Sequence, residues 1–132
     1  MGKRTATCSC GQLRVTVAAD PVRVSICHCL ACQQRTGSVF GVQARWPADQ
    51  VTTEGETRVW RRIGDEEGAA MDFRFCPVCG STVWFSQEDE PQFIAIAIGA
   101  FADPTFPAPV RAIYEERRHP WVGLPDEIER LN

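Results

Sequence analysis

The grouping of seven cysteines constrains this chain more than any other feature of its sequence. They fall as Cys8 and Cys10 in CSCG, Cys27, Cys29 and Cys32 in CHCLAC, and Cys76 and Cys79 in FCPVCGS. An odd number of thiols in tight groups is a poor disulfide framework, whereas reduced thiols that close together converge naturally on metal ions. Cys-Pro-x-Cys-Gly has the form of a zinc knuckle: two sulfurs share a tight turn, and Gly80 is free to take the positive φ that aims backbone amides at them.

A knuckle supplies half of a tetrahedral site, so a second pair must complete it. In one partition Cys8 and Cys10 join Cys76 and Cys79 in a closed four-thiolate zinc site. Cys27, Cys29 and Cys32, expected on one short loop, then hold one face of a second zinc and leave a position for water or substrate, the pattern of a catalytic site. In the other partition Cys29 and Cys32 pair with the knuckle as a zinc ribbon, and Cys8, Cys10 and Cys27 have no role. The first is expected, because the second leaves a Cys-x-Cys pair followed by Gly11 without a use. Iron–sulfur ligation is disfavoured: Cys27 and Cys32 open a plant-type spacing, but the next cysteine that spacing requires is missing.

A zinc held by three thiolates carries a net charge of about minus one, which makes it a weaker Lewis acid than one held by neutral histidines. Hydrolysis is therefore not its natural reaction. A soft site of this kind favours a fourth thiolate from a substrate, kept deprotonated although a free thiol has a pKa of about 8.5.

The bulk properties narrow the setting. A chain of 132 residues is expected to form one domain spanning 1–132. A net charge of −3 leaves no clustered cationic excess for phosphate binding, so no nucleic-acid surface is expected. The most apolar run, FIAIAIGAFA from Phe93 to Ala102, is about half of the ~20 residues a membrane-spanning helix needs. The opening MGKRTATCSCG is positive but has no apolar stretch after it, so no secretory leader is expected and the protein is expected in the cytoplasm.

Periodicity predicts a mostly β fold of short, coiled antiparallel sheets with zinc knuckles at their turns. Leu13, Val15 and Val17 alternate with polar residues, Phe40, Val42, Ala44 and Trp46 with polar or small ones, and Met71, Phe73 and Phe75 again with polar residues. QFIAIAIG at 92–99 sets isoleucine against alanine and predicts a strand packed closely on one face. Only PDEIERLN at 125–132 reads as helix, with its proline and acids at the start.

Taken together, CSCG at 8–11, CHCLACQQRTG at 27–37 and RFCPVCGS at 74–81 resemble the glutathione-dependent formaldehyde-activating enzyme family. The family's pattern is CxCG, then CxCxxC followed by polar residues and TG, then FCxxCGS. IAIGAFADP at 96–104 and HPWVGLPD at 119–126 extend the likeness over most of the chain. The resemblance implies a zinc-stapled β fold similar to that of the B-class methionine sulfoxide reductases, with two Zn2+ per chain. It assigns Cys8, Cys10, Cys76 and Cys79 to a structural zinc and Cys27, Cys29 and Cys32 to a catalytic one. It also implies a carbon–sulfur lyase whose substrates are a small thiol, glutathione, and a small aldehyde, formaldehyde, joined as S-(hydroxymethyl)glutathione. A different class is a non-catalytic zinc module for protein interaction, which requires a fourth protein ligand on the second metal.

Residues around the cysteines complete the expectations. His28 lies between two ligands and is expected to point away from the metal, exposed or behind the ligands, and His119 is read as loop punctuation before a proline. Arg35 is the candidate for gripping a carboxylate of the thiol substrate. Trp121, Phe40 and Phe101 are candidates for lining the open position.

Overall fold

The structure, a computed structural model, describes residues 3–64 and 68–132. In chain order its elements are β1 (Arg4–Thr7), β2 (Arg14–Val17), β3 (Arg23–Cys27), α1 (Leu30–Thr36), β4 (Gly41–Pro47) and β5 (Val51–Glu54). Then follow β6 (Arg58–Ile63), β7 (Ala70–Phe75), β8 (Thr82–Gln87), β9 (Phe93–Ala97), β10 (Arg111–Ile113) and β11 (Glu129–Arg130). A small sheet has the order β1-β2-β5, and a larger one the order β11-β10-β3-β4-β9-β8-β7-β6. The mostly β expectation holds.

The two faces of the larger sheet do different things. One carries Val24, Ala44, Trp46 and Ile96, which close against Ala6, Leu13, Val15 and Val17 of the small sheet and its approach to form the main core. The alternation read at 13–17 is therefore the packing of β2 onto its neighbour sheet, with Val15 and Val17 buried and Arg14 exposed. Trp46 anchors this layer: its indole N–H donates to the Ala19 carbonyl at 2.8 Å, and its ring meets Phe101 at 5.7 Å.

The opposite face carries Cys27, Gly41, Ala95, Phe85 and Phe73, which the registers Cys27↔Gly41, Phe85↔Ala95 and Phe73↔Phe85 put on one side. The alanines of β9 are the reason helix and aromatic rings can approach here: Ala95 lies against Phe73 and Phe85, whose ring centroids are 4.8 Å apart. Helix α1 sits over this face.

Three expectations are corrected. The segment at 125–132 is not a helix: its Glu129 and Arg130 pair with Arg111 and Ala112 as an edge strand, and Ile128 is buried beside Ile26 and Ala112. Eight residues are too few to sustain a helix alone, while β10 offers open backbone groups, taken by Glu129 N–H to Val110 O at 3.1 Å and Leu131 N–H to Ala112 O at 2.8 Å. The sheets are not wholly antiparallel either, since β10 runs parallel to both β3 and β11. And the CHCLAC segment, read as a loop, continues into α1. Cys29 caps that helix with its sulfur, which accepts the Cys32 N–H at 3.2 Å, and Gly37 ends it in the left-handed conformation at φ 72°.

Candidate metal centres

The first centre is assembled from two turns 66 residues apart in sequence, counted between Cys10 and Cys76. Cys8 and Cys10 flank the turn after β1, closed by Gly11 N–H to Cys8 O at 3.1 Å, and Cys76 and Cys79 occupy the turn between β7 and β8, closed by Gly80 N–H to Cys76 O at 2.9 Å. Gly80 takes φ 81° there, as its place after the knuckle predicts. The sulfurs of Cys8 and Cys10 are 3.6 Å apart, those of Cys10 and Cys76 3.7 Å, and all four lie within 4.8 Å of one another. A tetrahedron with metal–sulfur bonds of about 2.3 Å has edges of about 3.8 Å, so this donor set fits zinc.

The surroundings favour thiolates. Leu13 N–H donates to Cys8 Sγ at 3.3 Å, Val78 N–H to Cys76 Sγ at 3.3 Å and Gln12 Nε2 to Cys76 Sγ at 3.0 Å. Burial alone pushes the Cys76 thiol up, but donation from the Cys79 and Val78 amides and from Gln12 outweighs it and holds it below the ordinary value. The Ser81 hydroxyl, chiefly, with the Ser81 and Cys10 amides, draws Cys79 down to about 5. Ser81 also bonds Ser9 Oγ at 2.9 Å, tying one turn to the other.

The second centre is local. Cys27 ends β3, Cys29 caps α1 and Cys32 stands in its first turn, and their three sulfurs lie within 4.8 Å of one another. Among the described residues no fourth cysteine, histidine or carboxylate joins this group. The three thiols divide their protons unequally. Hydrogen bonds from Cys27 and Cys32, helped by the Cys32 amide and the charge of Arg62, hold Cys29 down at about 2, while its two neighbours and burial push Cys27 up. Three soft donors converging on one face again suit zinc, with one coordination position not supplied by the described residues.

The amino-acid pattern and this geometry agree with the comparisons. The profile of the glutathione-dependent formaldehyde-activating enzymes matches residues 3–117. The chain belongs to that family. A crystal structure of a protein from Rhodobacter sphaeroides is similar in fold, with a TM-score of 0.56 and 16% identity over 73% of this chain and 85% of that one. Among curated proteins none matches.

For a member of the family, the other residues singled out in the sequence are placed as follows. Arg35 lies beside one of the three sulfurs, its Nη2 3.9 Å from Cys32 Sγ, with its guanidinium 5.0 Å from the Phe73 ring centroid. His28 does point away from the cluster, yet it is fully buried rather than exposed, with Phe40 edge-on at 6.2 Å and Glu115 Oε2 3.8 Å from its Nε2. His119 is more than punctuation: its Nε2 meets Gln33 Oε1 at 2.9 Å, and Gln33 donates on to the His28 carbonyl at 2.9 Å. Trp121 is exposed, edge-on to His119, and Phe101 packs in the main core against Trp46 rather than beside the open position. Gln12, Gly41 and the stacking of Phe73 on Phe85 have no place in the sequence reading, and Arg62, in the basic pair Arg61–Arg62, reads there only as a solvated face. A glycine opening an otherwise alternating strand, as Gly41 does in FGVQARW, was the one available signal.

Proposed function

We propose that the protein is a zinc-dependent carbon–sulfur lyase of the family's type, which joins a small aldehyde, formaldehyde, to a small thiol, glutathione. Cys8, Cys10, Cys76 and Cys79 hold a structural zinc and Cys27, Cys29 and Cys32 a catalytic one, two per chain. The observation that carries this reading is the three-sulfur cluster without a fourth protein ligand among the described residues. A non-catalytic module needs a closed site.

When bound there, zinc supplies a soft cation that keeps an incoming thiol deprotonated at neutral pH. The chain's own residues shape the rest. Cys27, Cys29 and Cys32 occupy one side of the site and leave approach from the other, and Arg35 adds a positive charge beside it that favours a thiol bearing carboxylates, as glutathione does. In the reaction a sulfur–carbon bond forms, the carbonyl π pair moves to oxygen, and that oxygen takes up the proton given up by the thiol. Reversal breaks the same bond. Seven free thiols suit a reducing compartment such as the cytoplasm.

The test is to mix zinc-loaded protein with glutathione and formaldehyde and follow hydroxymethyl exchange by NMR, comparing wild type with Cys29→Ser. Faster exchange with wild type alone is expected. Equal rates reject the lyase reading and leave the interaction module.

A further inference from the structure

Arg35 carries an unusual set of contacts for a helix-surface arginine. It follows Cys32 by three residues on α1, so both side chains leave the same face of the helix. Its guanidinium lies over two aromatic rings, with Cζ 5.0 Å from the Phe73 centroid and 5.8 Å from that of Phe85. Its Nη2 is 3.9 Å from Cys32 Sγ, and among the described residues it pairs with no carboxylate. Rings beneath and sulfur beside fix a planar cation in one orientation, which a flexible substrate grip does not require.

The opposing strand makes room for it. Gly41 pairs with Cys27 at the start of β4 and is buried. A Cβ built on Gly41 meets Arg35 Nη2 at 3.0 Å, then Cys32 Cβ at 3.4 Å and Cys32 Sγ at 3.7 Å. Gly41 has no positive φ that would demand glycine for its backbone. Space is the only local requirement for glycine, and the atom that first fills that space is the tip of Arg35.

We infer that Arg35, seated in the berth left by Gly41, is a positioning residue for the three-sulfur centre: it holds a fixed positive charge and an N–H donor against Cys32 Sγ. The guanidinium offsets part of the negative charge that three sulfurs accumulate on one metal. Groups that touch the ligands in this way characteristically change metal affinity by about 10- to 100-fold. This rests on the cluster holding zinc, and it deepens that reading by separating Arg35's action on the cluster from any contact with substrate.

The experiment measures zinc release from the intact protein to a competing chromophoric chelator, and the thiolate-to-metal charge-transfer bands of the cobalt-loaded protein, for Arg35→Gln, Gly41→Ala, their combination and Arg35→Lys. A Cβ at 41 displaces only the end of a flexible side chain, so Gly41→Ala should fold and keep the four-sulfur zinc. Arg35→Gln and Gly41→Ala should each loosen the second zinc by about 10-fold or more and shift the cobalt bands alike. Combined, they should loosen it no further than Arg35→Gln does alone, because both remove one contact. Arg35→Lys should restore part of the affinity. Wild-type zinc affinity in Gly41→Ala, or two losses that add, overturns the inference. So does an Arg35→Gln protein that holds zinc like wild type but binds S-methylglutathione more weakly, since that describes a substrate grip. If Gly41→Ala loses both metals, Arg35→Gln against Arg35→Lys decides, and the inference falls unless the second site alone weakens and lysine restores it. A wild-type protein that takes up a single zinc overturns the metal reading and this inference together, whereas two zincs held equally by wild type and Arg35→Gln overturn this inference alone.

Discussion

Gly55 offers a sharp test of how the four-sulfur centre is supported. It closes the turn between β5 and β6 at φ 98°, and a Cβ there would stand 2.1 Å from the Gln12 carbonyl oxygen and 2.9 Å from both Gln12 C and Gln12 Oε1. The main-chain contacts cannot be relieved by rotating a side chain, so Gly55→Ala must move the turn away from Gln12. That side chain joins the turn to the four-sulfur cluster: Gln12 Nε2 donates to Glu56 O at 2.8 Å and to Cys76 Sγ at 3.0 Å, while Glu56 N–H donates to Gln12 Oε1 at 2.9 Å. Left-handed backbone on an alanine costs about 1–2 kcal/mol, and the two Gln12–Glu56 hydrogen bonds are worth about 1 kcal/mol each. The expected loss is about 3–4 kcal/mol, a large part of the 5–15 kcal/mol that typically holds a domain. With a urea m-value of about 2 kcal/mol per M, the unfolding midpoint of the zinc-loaded protein falls by about 2 M. Gly37→Ala is the internal control, since Gly37 also has positive φ, 72°, but no atom within 4 Å of the added carbon, so only the backbone cost applies. Equal losses from Gly37→Ala and Gly55→Ala would refute the packing account.

Graded chelation should remove metal in two steps: a mild chelator strips the three-sulfur centre with far-UV circular dichroism unchanged, and loss of the four-sulfur metal, worth roughly 10 kcal/mol or more of folding free energy, melts the protein. Trp46→Phe removes a buried indole whose N–H satisfies Ala19 O at 2.8 Å and should cost about 2–3 kcal/mol in denaturant unfolding. Glu115 gives a pH signature. Burial pushes its carboxyl up, but hydrogen bonds from Arg118 and Arg130 outweigh that and hold it below the ordinary value. A depressed carboxylate contributes stability above the unfolded value of about 4.3 and loses it as pH falls through the folded one. Glu115→Gln should therefore be less stable than wild type at pH 7, with the gap closing below about pH 4 in parallel denaturant titrations.

The sequence was most legible where one physical rule acted alone. Cysteine grouping anticipated which sulfurs meet, and strict alternation located the strands around Val15, Trp46 and Phe73. It was least legible where a residue plays an uncharacteristic part. Cysteine is seldom a helix cap, so nothing marked Cys29 as the start of α1, and Gly37 was read only as part of a motif. At the other end, Ile128 and Leu131 have helical spacing, but pairing of Glu129 with Arg111 is a long-range event that local propensity does not encode. The exposed pattern of β6 escaped for a related reason: as an edge strand it hides almost nothing, so RVWRRI has no apolar face to betray it. Gly41 and Gln12 matter through what they touch, and those contacts exist only once distant segments have folded together.

The joining of distant turns at the four-sulfur centre has a consequence for how the chain reaches its native state. A Cys76–Cys79 turn that binds zinc can capture it as soon as it is made, but its partners Cys8 and Cys10 lie far earlier in the sequence, and the Cys27–Cys29–Cys32 trio is a nearer competitor for the same ion. Excess zinc during refolding should therefore trap mismatched sulfur sets, and yields should rise when the ion is scarce or buffered and exchange remains fast enough to correct mistakes.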